Sequence, residues 1–209
     1  MTGSHANHTR LALLALSIGG ATILPTAIHA ADTPGYPTCA ASHLDGVDPM
    51  RLKRALVDAV GPNIARPDAD RFFSDNVVLA APAPLSRGHG DVIVYTQGPR
   101  VCGSGGCNLY VLARKAGGAS SRPSYRLLGK VTAARPPVSV LPTIHNGRHD
   151  LGVGVAGGGI RDPYTAALAF DGKRYPGNPT LPGIPRVTGD MGHVILASAD
   201  GSGPQCRLR

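Results

Sequence analysis

Cys102 and Cys107 enclose only Gly-Ser-Gly-Gly, and this spacing constrains the chain more than any other feature. Opposed residues of an antiparallel pair lie about 4.5 to 5.5 Å apart at Cα, a separation that a disulfide spans. Glycines supply the backbone angles of a tight reversal. The segment therefore predicts a strand, a disulfide-closed turn and a second strand. Loop entropy assigns so short a ring roughly 2 kcal/mol, enough to fix a local shape. Of the three connectivities that four cysteines allow, the spacing favours Cys102 with Cys107, and Cys39 with Cys206. An even count reads as disulfides made in an oxidising compartment.

The first residues point to the same compartment. Arg10 precedes an apolar run from Leu11 to Leu24, followed by Pro25 and by Ala-Ile-His-Ala ending at Ala30. That order is the grammar of a secretory signal. The run is 14 residues long, short of the roughly 20 of a membrane-spanning helix. We expect residues 1–30 to be a signal peptide and residues 31–209 to be one globular domain, periplasmic or secreted, with no transmembrane segment after cleavage. Loss of Arg10 lowers the formal charge from +8 to +7, and every acid is an aspartate. The surplus favours an acidic protein or an anionic envelope surface as partner. Nucleic acid is not expected, because basic clusters are missing and aromatics are few.

Within the domain we expect a helical and extended part over 31–86, a β-meander over 87–176, and a loop with a last strand over 177–209. Asp48-Pro49 opens a helix, the acid as N-cap and the proline at its first position. Leu52, Ala55, Leu56, Ala59 and Val60 share one face, and Gly61-Pro62 ends it. A short helical turn holds Phe72 and Phe73, and Ala80 to Pro84 reads as an extended linker. The period then changes to two. Strands are predicted around Val92–Tyr95, Leu109–Leu112, Tyr125–Leu128, Val138–Leu141 and His193–Ser198. Asn146-Gly147 fits a type I′ turn, and pairing outward sets Ile144 opposite His149, Val140 opposite Val153 and Val138 opposite Val155. Asp171-Gly172 suggests a second such turn, between Ala167–Phe170 and Lys173–Tyr175. Short turns exclude parallel crossovers. The fold class is α+β, an antiparallel β-meander with an N-terminal amphipathic helix packed on one face.

Few residues carry recognisable chemistry. His145, Arg148, His149 and Asp150 form the one polar cluster, and their place at a hairpin tip reads as solvated turn residues; a hydrolase using His145 or His149 is the least favoured reading. Gly152-Val153-Gly154-Val155-Ala156-Gly157 matches the dinucleotide fingerprint by letters, but glycines and Pro163 follow it instead of a helix. Ser104 lacks the glycine two residues earlier that a nucleophile elbow needs. No catalytic residue, metal ligand or cofactor is assigned. The expected binding loop is Gly103, Ser104, Gly105, Gly106 and Asn108.

Strand, Cys-x-x-x-x-Cys loop and strand over residues 91 to 131 resemble the inhibitory loop of Ivy-type periplasmic lysozyme inhibitors. There a disulfide-closed hairpin carrying a histidine enters the enzyme's cleft; here Ser104 is the side-chain donor within the loop. From residue 92 to about 180 the chain also resembles uncharacterised exported bacterial proteins with Cys-Gly-x-Gly-Gly-Cys, Tyr-Arg-x-Leu and Asn-Gly-x-x-Asp-Leu. The expectation is an exported, non-catalytic envelope binding protein. The alternative implied by the first resemblance is an inhibitor of a cell-wall hydrolase or secreted toxin.

Overall fold

The computed structural model describes residues 36–61, 69–88, 90–115, 124–197 and 203–209; the expected signal peptide lies outside them. Asp48 accepts the Met50 N–H at 3.0 Å and Pro49 takes the first helical position, so α1 (Pro49–Val60) begins at the Asp-Pro pair and ends at Gly61, φ 104°. Such a cap contributes about 1 kcal/mol. Leu52, Leu56 and Val60, four residues apart, are buried, each worth roughly 1.5 to 3 kcal/mol. The shorter α2 (Ala69–Asp75) adds Phe72 and Phe73 to the same layer.

The strands are β1 (Val77–Pro82), β2 (Val92–Gln97), β3 (Cys102–Gly103), β4 (Gly106–Lys115), β5 (Ser124–His145), β6 (Arg148–Gly157), β7 (Ile160–Leu168), β8 (His193–Leu196) and β9 (Cys206–Leu208). Their order is β7-β6-β5-β4-β2-β1-β9, with β3 on β4 and β8 on β5. Every strand pairing is antiparallel, and β4 to β7 follow one another as a meander. The fold is α+β, with α1 on one face of the sheet.

Period-two alternation divides the apolar side chains between two cores. Val78, Ala80, Val92, Val94, Tyr110 and Leu112 meet the helices. Leu79, Ile93, Leu109 and Val111 turn the other way and share a core with Val138, Val153 and Leu168. One strand joins both halves of the sheet: β5 pairs with β4 up to Ala134, then with β6 and β8 from Arg135 onward. Ala133, φ 54°, marks the change. The two strands expected near Tyr125 and Val138 are thus parts of one.

Three expectations need correction. Ala80 to Pro82 is not linker but the end of β1, inside the sheet between β2 and β9. Its alanines are small enough to be fully buried there. The Asn146-Gly147 turn has the two positive φ values of a type I′ reversal, 50° and 78°, and Ile144 does face His149. Beyond that point, however, Val140 pairs with Leu151 and Val138 with Val153. Four steps of β5 oppose two of β6, an irregularity that contains Pro142. Finally, Asp171 turns the chain through its own carboxylate, which accepts the N–H groups of Lys173 and Arg174, each at 2.7 Å, and Lys173–Tyr175 is not a strand.

Both disulfides form as expected. Cys39–Cys206 has a Cα separation of 4.9 Å and Cys102–Cys107 one of 3.9 Å. No helix among the described residues is long and apolar enough to cross a membrane.

Candidate functional site

The closed hairpin does not stand free of the protein. Arg135, at the point where β5 changes partners, reaches two turns at once. Its Nη2 donates to the Ser104 carbonyl at 2.9 Å. Its Nε donates to the Ala156 carbonyl at 2.8 Å and lies 3.3 Å from that of Gly105. A guanidinium holds several acceptors in one planar fork, so a single side chain fixes the β3–β4 tip against the β6–β7 turn.

Glycines permit the approach. A Cβ on Gly157 would lie 2.5 Å from the Ser104 carbonyl, and one on Gly158 would lie 3.1 Å from the Gly105 Cα. A Cβ on Gly106 would collide with the Ala134 carbonyl. Gly157 and Gly158 also have φ of 73° and 56°, angles that favour glycine. Beyond the tight reversal, the glycine richness serves close packing of two turns. Gly103, Ser104, Gly157, Gly158 and Gly159 remain exposed and together form a backbone ridge with one hydroxyl. Asn108 lies apart from it, within β4 opposite Thr96.

The polar cluster gathers at the other end of β6, and it is more deeply built than a solvated turn. Asp150 is buried, its side chain 4% exposed, with His145 Nδ1 at 2.8 Å and the Thr143 hydroxyl donating at 2.6 Å. With the carboxylate as acceptor, Nδ1 carries the proton. Arg148 donates to Asp91 at 2.6 Å, and both side chains are largely buried. Ser86 also donates to Asp91, at 3.0 Å. His149 Nδ1 meets the Leu141 carbonyl, and its own carbonyl accepts the Tyr175 hydroxyl at 2.7 Å. Burial, reinforced by Asp91 and Asp150, raises the Tyr175 pKa.

His145, half exposed over a buried aspartate, is one half of an acid–base pair. The hydroxyls bonded into the cluster are turned onto Asp150, Asp91 and the His149 carbonyl, and not onto the imidazole. Among the described residues no three His, Cys, Asp or Glu side chains form a metal-holding group. The fingerprint-like glycines lie within β6, where Gly152 and Gly154 let β5 come close: a Cβ on Gly154 would be 2.7 Å from the Arg135 carbonyl. Asp91 and Arg135 were not singled out from the sequence. Little local marks either one, because the arginine that pairs with Asp91 and the carbonyls that Arg135 holds come from distant segments.

Comparison with protein-family models, with curated proteins and with solved structures finds no match to this chain.

Proposed function

We propose that this protein is an exported envelope protein that acts by binding rather than by catalysis, and that the ridge of Ser104 and Gly157–Gly159 is its contact surface. The observation that carries this reading is the Arg135 tie. It holds the carbonyls of two separate turns, so an exposed backbone surface is preformed and loses little entropy when a partner orders it. Two disulfides fit maturation in the periplasm or outside the cell, and a formal charge of +8, or +7 once Arg10 is lost, fits an acidic partner or an anionic envelope surface. The inhibitor reading draws less support. A plug must project into a cleft, whereas this hairpin tip lies along its own β6–β7 turn.

The test is capture from an envelope extract with native protein and with Arg135→Ala, compared after circular dichroism has shown that both are folded. The reading expects one acidic partner held by the native protein and lost from the variant. Equal retention by both proteins, or an empty capture by the native one, overturns it.

A further inference from the structure

A second surface lies away from the ridge and does not depend on it. Arg51, Arg54, Ala55 and Asp58 form one stripe along α1, at steps of three and four residues, beside the core stripe of Leu52 and Leu56. Between that stripe and the start of β5 is an open groove of about 490 Å³. Leu112, Tyr125 and Leu127 lie along its sheet side. α1 leaves this part of the sheet uncovered: Leu127 is 39% exposed.

Charge and main chain both point to what fits. Arg114 pairs with Tyr125 across β4 and β5, and strand alternation puts it on the same face as Leu112. Arg51 is engaged by Asp48 at 3.2 Å, but among the described residues Arg54 and Arg114 form no ion pair. Among the described residues the edge is open as well. Among the described residues Ser124 to Leu127 pair only with β4. From Leu128 onward the edge is covered: Tyr175 N–H donates to the Leu128 carbonyl and Thr132 N–H to that of Gly177, both at 2.8 Å. A strand edge beside an apolar trough, with two arginines that form no ion pair among the described residues, suits strand addition, in which main-chain bonds give affinity and alternate side chains give selectivity.

We propose that this groove binds an extended acidic segment of a partner protein, added as a strand to the Ser124–Leu127 edge. Its carboxylates meet Arg54 and Arg114, and an apolar side chain covers Leu127 and Tyr125. A flat lipid headgroup plane would leave both the trough and the strand edge unused.

Fluorescence anisotropy tests this with a dye-labelled, end-capped peptide of alternating aspartate and valine. The full-length protein should bind it, with affinity reduced at least tenfold by Arg54→Ala combined with Arg114→Ala. Methylating alternate peptide amides should abolish binding in one of the two registers. Both arginines are exposed, so the variant folds, and circular dichroism checks that it does. Unchanged affinity in the variant overturns the proposal. So does equal binding of polyaspartate, which would show charge attraction alone. Binding of phosphatidylglycerol vesicles but not of the peptide would assign the arginines to a membrane instead. The ridge reading fails separately, through Arg135→Ala.

Discussion

Arg135 donates Nη2 to the carbonyl oxygen of Ser104 at 2.9 Å, linking a corner of the sheet to the tip of a hairpin far from it in sequence. The disulfide Cys102–Cys107 closes the base of that hairpin, but the arginine orients its tip. The two restraints are different in kind. One limits the unfolded chain; the other is a charge-assisted hydrogen bond made only in the folded state.

Arg135→Ala should therefore cost about 2 kcal/mol in chemical denaturation, in the range of hydrogen bonds to a charged group. Arg135→Lys should recover less than half of this, because an ammonium cannot reproduce the fork. Equal stability of native and alanine proteins would show that the tie is ornamental.

Two of the exposed glycines of the β6–β7 turn, Gly157 and Gly159, should rank by contact. Gly157→Ala must displace the Ser104 carbonyl and adopt an unfavourable φ, and should cost more than about 2 kcal/mol. Gly159 has φ 90° but open space around a Cβ, so Gly159→Ala should cost only about 1 kcal/mol of backbone strain. Thermal or urea denaturation of the two variants decides the order.

The disulfides should separate global stability from local shape. Cys39–Cys206 spans a sequence separation of 167 and Cys102–Cys107 one of 5. Loop entropy assigns them about 5 and about 2 kcal/mol. Thermal melts should place Cys39→Ser/Cys206→Ser well below Cys102→Ser/Cys107→Ser, and non-reducing peptide mapping should recover both pairs.

Alkaline pH should unfold the protein through its tyrosines. Burial raises the pKa of Tyr95 and of Tyr110 from 10.0 to about 12, because a phenolate in the core lacks solvation. A folded-state pKa above the unfolded one gives stability that is complete below about pH 10 and lost as pH rises toward 12. Phenolate absorbance should appear together with loss of structure over that window. Tyr95→Phe, which removes the hydroxyl donating to the Ala134 carbonyl at 3.3 Å, should make the loss shallower.

Local chemistry was legible in the sequence wherever neighbours in the chain settle it. The Asp48 cap, the Gly61 stop, the Asn146-Gly147 turn and the closure of Cys102 onto Cys107 each depend on residues a few positions apart. The register beyond Ile144 was not legible in the same way: the alternating apolar pattern fits two pairings and does not mark the irregularity between Val140 and Ile144. β1 was missed because a strand covered on both faces shows no alternation, and Ala-Ala-Pro resembles a linker. For the candidate site, Gly103 to Gly106 were legible as a tight reversal, but their packing against a second turn was not. Glycines that meet Gly157 and Gly158 in space look identical in sequence to glycines that confer freedom. His145 is half exposed, as a turn residue should be; what the sequence does not show is the burial of Asp150 beneath it and the approach of the Tyr175 hydroxyl to His149.

The claim that a preformed ridge is presented to a partner is tested most directly by backbone amide relaxation of Gly103 to Gly106 and Gly157 to Gly159. Rigid strands give order parameters of about 0.85 and mobile segments fall below about 0.6. Strand-like values are expected for both turns in the native protein, and a fall into the mobile range, confined to those turns, in Arg135→Ala. Mobile values in the native protein would contradict it.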